Sequence, residues 1–322
     1  MTNTPRISVL MSVFNETEKV FRESVSSILN QTFDDFEFII VCDKVERKEE
    51  IEAILTEYND NRIVYLVNEK NIGLAMSMNK ALQIARADIV ARMDADDIAK
   101  PKRFEKEYDV LKTGSYDFVF SSYEDINDDS VIINQEYTQA FPHYSSEEIS
   151  KVLQYRNMIH HPTVMILKSV IDKVGGYRDF PVSQDFDLWL RLNENSCRFY
   201  MIDEPLLLYR VNANGTSRRK WLQQQLTIHY IFELSCQRLR KGKDNFSLEN
   251  YQAYLEKNEY TDEQKASDLR KSERLLVDAL KERKKGNLLK SLRLRTSVFA
   301  SNSILRRYYI NVLKKRILLK LK

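Results

Sequence analysis

The sequence predicts an α/β protein: a Rossmann-like, mostly parallel sheet followed by a helical C-terminal extension. Three observations predict it. Apolar β-rich runs alternate with helix-length segments over residues 6–94. Runs such as "FIIV" (38–41) are apolar at every position, which suits a sheet covered on both faces. From about residue 218 the apolar spacing turns helical and the charge turns basic.

The elements follow in order. "RISVLMSVF" (6–14) reads as the first strand, and residues 15–31 as a helix with Val20, Val25, Ile28 and Leu29 on one face. Strands at 36–43, 62–68 and 87–94 then alternate with helices at 46–58 and 73–86. Past Pro101 the alternation loosens into a helix (101–112), a strand (116–123) and the turn-rich "EDINDDSVIIN" (124–134). "HHPTVMILK" (160–168) reads as a strand, "QDFDLWLRLNE" (184–194) as a helix, and residues 198–211 as two short strands about Pro205. The expected organisation is a domain over 1–217, with halves 1–97 and 98–217, and a helical region over 218–322. In the latter, "TDEQ" (261–264) reads as a capping box and Gly286 as the stop of the helix it starts. One or two basic amphipathic helices follow, and the helix–Gly–helix pattern suits a hairpin.

Composition narrows the class. A chain of 322 residues, 43% hydrophobic and 30% charged, can bury a sizeable core. Seven glycines and six prolines exclude a collagen-like or low-complexity polymer. Cys42, Cys197 and Cys236 are scattered and odd in number, which suggests a reducing compartment and neither a disulfide framework nor a zinc site. No basic segment leads into a long apolar run at the N-terminus, and no stretch of about 18 apolar residues occurs. A cytoplasmic protein is the expectation.

The net charge of +3 is uneven. Residues 283–322 carry 13 Lys and Arg and no acid, so +3 less 13 leaves −10 on residues 1–282. Leu, Ile and Tyr interleave with those cations, the pattern of an interfacial helix on anionic lipid, against the plainer reading of a solubilised hairpin. No nucleic-acid-binding module accompanies the charge, so nucleic acid is not the expected partner.

Candidate chemistry sits mainly in "ARMDADDIAK" (91–100). Asp94 and Asp96, at i and i+2 after a strand, can both offer oxygens to one hard cation such as Mg2+ or Mn2+. By themselves these acids fit a solvated helix start better than a metal site, with Asp97 as the cap. In "GGYRDFPVSQDFDLWLRL" (175–192), Asp185 shares a helical face with Trp189. It reads either as a general base with a raised pKa or, like Asp187, as a helix cap. His160 and His161 lack any metal-binding spacing and read as hydrogen-bonding residues. No GxSxG, GxxxxGK[ST] or GxGxxG occurs, so acyl hydrolysis and a glycine phosphate cradle are unsupported.

Six segments in one order carry a resemblance: "ISVLMSVFNE", "SVSSILNQTFDDFEFIIVCD", "NEKNIGLAMSMNKAL", "ARMDADDIAKPKRF", "HPTVM" and "GGYRDFPVSQDFDLWLRL". From about Ile7 to Val211 the chain resembles the family 2 glycosyltransferases, bacterial enzymes of capsule and O-antigen type with the glycosyltransferase-A fold. The resemblance implies that Val13, Asn15 and Glu16 line the nucleotide and that Asp43 meets the base. Asn71, Gly73 and Ala95 join the nucleotide-sugar site, Asp94 lies near the ribose, and Asp96 holds Mn2+ or Mg2+. Asp185 matches the catalytic base of inverting members.

Three departures from the family pattern stand out. Gln184 precedes Asp185 where Glu is common, "YRVN" (209–212) ends in Asn where His is frequent, and "VCDKVER" (41–47) lacks the usual Gly-Ser. A processive synthase is not expected, since membrane spans and QxxRW are missing.

The expected activity is inverting, metal-dependent transfer from a nucleotide sugar, UDP-linked in the usual case, to a lipid-linked or polysaccharide acceptor. The expected place is the inner face of the cell membrane, touched through the basic C-terminal helices, which also offer a surface for a homodimer. A sugar nucleotidyltransferase is the competing enzyme class, but the glycine-rich segment it needs after the first strand is not in "SVFNETEKVF". An inactive membrane-associated scaffold is the non-enzyme alternative.

Overall fold

A computed structural model describes residues 4–133, 144–211 and 220–320. The chain divides into two compact units, Met1–Ala213 and Asn214–Lys322. The boundary expected after 217, and Asn212 of "YRVN", lie outside the described residues.

In the first unit, β1 (Ile7–Val13), α1 (Glu18–Leu29), β2 (Phe36–Cys42), α2 (Lys48–Tyr58), β3 (Ile63–Val67), α3 (Leu74–Ile84) and β4 (Ile89–Asp94) alternate as expected. They are followed by β5 (Ile98–Ala99), α4 (Arg103–Leu111), β6 (Phe118–Ile126), α5 (Ser146–Leu153), β7 (Val164–Leu167), α6 (Lys168–Lys173), α7 (Gln184–Glu194) and β8 (Phe199–Arg210). One sheet has the order β3-β2-β1-β4-β7-β6-β8-β5. It is parallel from β3 to β4 and between β6 and β8, and antiparallel on both sides of β7. Strand order reverses between β1 and β4, where sheets of this kind bind ligands beyond their carboxyl ends.

Both faces of the sheet are covered, which explains strands without polar alternation. Leu10, Ile39 and Val41 pack under α3, α5 and α7 with Met78, Ile149 and Trp189. Val9, Met11, Phe38 and Ile40 pack under α1, α2 and α4 with Phe21, Ile54 and Phe104. All three cysteines are buried free thiols.

The structure corrects several local expectations. The buried face of α1 is Phe21, Ser24, Val25 and Ile28, and Val20 and Leu29 are only half-buried, because Phe21 takes the place in the core against the sheet. β6 runs three residues beyond the expected end, to Ile126. β7 begins only at Val164, since His161–Thr163 form a 3-10 turn around Pro162, which has no N–H for a ladder. Residues 199–210 form one strand and not two. Pro205 is absorbed where the register against β6 shifts, between Ser121 and Tyr123. The helix α5 had no counterpart in the sequence reading, although Ser145 and Glu148 form a reciprocal capping box at its start.

The second unit is helical: α8 (Trp221–Lys241), α9 (Leu248–Lys257), α10 (Glu263–Lys284), α11 (Leu288–Ser301) and α12 (Ser303–Lys320). The cap of α10 is Asp262, one residue past the expected Thr261, and it accepts from the Lys265 N–H at 2.9 Å. Gly286 ends that helix at φ +84°, with the Asn287 N–H bonded back to the Glu282 carbonyl at 2.9 Å. α10 and α11 form the hairpin, tied by Ser291 Oγ donating to the Ala279 carbonyl at 2.7 Å. No helix among the described residues is long and apolar enough to cross a membrane.

Candidate functional site

Register brings the site together. Val13 pairs with Cys42 and Ser12 with Asp94, so β1, β2 and β4 end side by side at one edge. Glu16, Asp43 and the 94–97 loop therefore emerge close together. Asp185, in the first turn of α7, senses the charge of Asp94 across the site.

Carboxylate oxygens of Asp94, Asp96 and Asp97 lie within 4.8 Å of one another. Beneath them, Arg92 is 3% exposed and ion-paired with Asp94. One buried guanidinium cannot offset three carboxylates. Burial, followed by Asp94 and Glu16, pushes the Asp96 carboxyl up to about 7. Glu16 is also raised, mainly by burial. Asp97 is not a helix cap, since α4 starts at Arg103, six residues further on, with Lys102 at the cap position. Its side chain is fully buried, Oδ1 accepts from the Arg210 N–H at 2.8 Å, and Oδ2 has no hydrogen-bond partner among the described residues. Crowded hard oxygens, an orphaned carboxylate oxygen and excess negative charge fit a divalent cation.

This electrostatics has a measurable consequence. Asp96 keeps its proton in the fold up to about pH 7 and would lose it near pH 4 when unfolded. The fold therefore binds more protons across that window, and metal-free stability falls as pH rises through it. The gain in Tm on adding Mn2+ is expected to be larger near pH 7.5 than near pH 5, because protons compete for the same oxygens. Equal gains at both values would contradict the assignment of Asp96 to a cation.

The nucleotide-side residues take distinct positions. Asp43, 3% exposed, accepts from Asn68 Nδ2 at 2.8 Å and from the N–H groups of Ile72 and Gly73 at 2.9 Å each. It thereby fixes the loop that opens α3, and only part of its acceptor capacity is left for a ligand. The Gly73 N–H is shared with Asn71 Oδ1 at 3.0 Å, and Gly73 itself holds φ +82°. Asn15 accepts from Lys44 Nζ at 2.7 Å, and Glu16 accepts from the Phe14 N–H at 2.7 Å. Val13 and Ala95 are buried and present no side-chain surface to a ligand. Val13 contributes its carbonyl, which accepts from the Asp43 N–H at 3.0 Å.

The two readings of the α7 acids separate. Asp187 is fully buried and bonded to Arg191 Nε at 2.8 Å, so it holds structure. Asp185 is half-buried. Its carboxyl is raised by burial, against hydrogen bonds from its own helix start and from Asn157 Nδ2 at 2.9 Å. Such a carboxylate accepts a proton more readily than an exposed one. His160 and His161 bond Tyr123 and Tyr177 at 2.7 and 2.8 Å, as the sequence suggests.

A sequence model of "Glycosyl transferase family 2" matches residues 8–175. The chain belongs to glycosyltransferase family 2. The O-antigen biosynthesis glycosyltransferase WbnJ of Escherichia coli is 36% identical to it over 217 residues, 66% of this chain and 82% of that one. An E. coli UDP-Gal:alpha-D-GlcNAc-diphosphoundecaprenol beta-1,3-galactosyltransferase is 30% identical over 71% of this chain and 84% of its own. S. aureus TarS 1–349 in complex with UDP-GlcNAc shares the glycosyltransferase-A fold with a TM-score of 0.59, at 16% identity over 78% of this chain and 70% of that one. A Pyrobaculum calidifontis mannosyltransferase in complex with GDP-Man and Mn2+ does so at 0.57 and 15%, over 99% and 86%.

Two residues of this glycosyltransferase escaped the sequence reading. Arg92 is the countercharge under the acidic loop. Arg210 is buried and donates from Nε to the Asp96 carbonyl at 2.8 Å, from Nη1 to the Asn127 carbonyl at 2.8 Å, and from Nη2 to Glu23 at 2.8 Å. It clamps the loop that carries Asp96. The "YR" at 209–210 was a signal for it, but its partners lie far away in sequence.

Proposed function

We propose that this glycosyltransferase is an inverting, metal-dependent enzyme that moves a sugar from a nucleotide donor, UDP-linked, to a lipid-linked or polysaccharide acceptor in cell-surface glycan assembly. The observation that carries the reading is Asp185: a half-buried, proton-seeking carboxylate electrostatically linked to the Asp94–Asp97 loop. Asp185 takes the proton from the acceptor hydroxyl as that oxygen attacks the anomeric carbon. The bond to the nucleoside diphosphate breaks on the opposite face, so one displacement inverts the carbon and needs no enzyme nucleophile. Asp96 would hold a divalent cation, which would supply neutralisation of the leaving diphosphate. Asp43 and the Asn71–Gly73 turn would hold the nucleoside, with Asp94 toward the ribose.

A UDP donor is favoured by the relative named for UDP-Gal and by the TarS complex with UDP-GlcNAc. A lipid-linked acceptor is favoured by the diphosphoundecaprenol in the same relative's name, and O-antigen assembly by WbnJ. Work at the inner membrane face is favoured by the acid-free basic tail and by exposed Leu288, Leu289, Leu292, Leu313 and Ile317 on α11 and α12.

A panel of nucleotide sugars, scored for slow hydrolysis and thermal protection, tests the donor. One UDP-sugar is expected to raise Tm with Mn2+ and much less without it. No protection by any donor in the presence of metal would overturn the reading.

A further inference from the structure

The helical unit contains a feature that sugar transfer does not use. An open cavity of about 590 Å³ lies between the C-terminal end of α8 and the middle of α12. Arg240, Lys241, Lys243, Arg307 and Lys314 line it. Two acids also line it, fewer than the five cations. Asp244 is ion-paired with Arg238, and Glu233 accepts from Asn311 Nδ2 at 3.2 Å, its carboxyl raised by burial against the opposing pull of Asn311, Arg307 and Lys314.

On α10, Lys271 and Lys281 each lie within 4 Å of an acid on the same helix, while Arg274, Arg283 and Lys284 have none within that distance among the described residues. Around the cavity, Arg240, Lys241, Lys243 and Lys314 have no carboxylate within that distance among the described residues. Cations in the last turn of α8 complement its helix dipole, which accounts for Arg240 and Lys241. That argument does not reach Lys243, beyond the Gly242 cap, or Arg307 and Lys314 within α12. Cations that converge on a concave wall repel one another until an anion arrives.

We propose that this cavity binds a phosphoryl group carried by an anionic membrane lipid. Lys and Arg together suit phosphate oxygens, through point charge and paired N–H donors. The lipid source follows from the neighbouring helices of the same unit. Leu289 is 78% exposed and Ile317 60%, and Ile317 stands one helical turn beyond Lys314 on α12, so the unit offers apolar side chains for the acyl boundary as well as cations that suit the headgroup. The site deepens the membrane-contact part of the proposed function and is independent of the transfer chemistry.

The test uses the full chain with Lys243→Gln/Lys314→Gln, and Lys271→Gln/Lys284→Gln as a control that removes equal charge from α10. All four side chains are exposed, so both variants should keep the wild-type Tm. Sedimentation with phosphatidylglycerol vesicles is expected to weaken about tenfold or more in the cavity pair and less than about threefold in the control. Phosphatidylcholine vesicles should bind neither. Calorimetry with inorganic diphosphate separates the sources. If diphosphate binding depends on the cavity pair while vesicle binding does not occur, the ligand is a free phosphoryl compound and the lipid assignment falls. Equal losses in both pairs would mean diffuse attraction and overturn the site, as would no effect on either probe. Donor protection at Asp96 is read separately, so failure here leaves the transfer reading intact.

Discussion

Asp185→Asn is expected to abolish transfer while leaving donor binding in place. The substitution is isosteric and keeps an oxygen for the Asn157 amide, which now donates at 2.9 Å, so the first turn of α7 should persist. What disappears is the proton acceptor. General-base catalysis contributes about 10²–10⁴ in rate, so kcat should fall by about a thousandfold with little change in donor-dependent thermal protection. The sign of the pH dependence offers a second check. Asp185 works only when ionised, and burial raises its pKa, so wild-type activity falls as pH drops through that raised value. The variant should lose this acidic limb along with the rate. Unchanged turnover would remove Asp185 from the mechanism.

Asp96→Asn should behave differently and in two opposed directions. Without metal, the variant is expected to be more stable than wild type near neutral pH, by about 1 kcal/mol or a few degrees in Tm, because a carboxylate crowded by Asp94 and Glu16 has been neutralised. Its Mn2+-dependent gain in Tm should largely vanish. Turnover should fall by about a hundredfold or more, since a cation that neutralises a leaving diphosphate is worth several kcal/mol in the transition state. A more stable but nearly inactive enzyme would separate a functional carboxylate from a structural one. A variant that is destabilised and still responds to Mn2+ would contradict this role.

The same separation shows where sequence reasoning reached its limit. Period-2 and period-3.6 patterns placed the β1–β4 alternation because those patterns are local, and both faces of the sheet needed apolar residues. Boundaries moved where one local contact outweighed the average pattern, as with the turn at Pro162 and the register shift at Pro205. Asp97 shows the limit most clearly. Beside Asp94 and Asp96 it looked like a solvated cap, yet it is buried and bonded to the backbone of Arg210, 113 residues away. Val13 and Ala95 shared motif positions with real surface groups, but the fold turned them inward.

The sequence by itself determined the family, the α/β order of the first unit, the helical basic extension, and which acids were candidates for chemistry. Those properties depend on the spacing of residues near one another in the chain. The tertiary structure alone decided that Asp187 pairs with Arg191 while Asp185 stays half-buried and available, and that Arg92 lies beneath the acidic loop. It alone showed that Arg210 clamps that loop and that cations from α8, from the segment after it and from α12 line one cavity. The reason is physical: burial and charge pairing depend on neighbours brought together in space, and for these groups the decisive neighbours come from several separate segments of the chain.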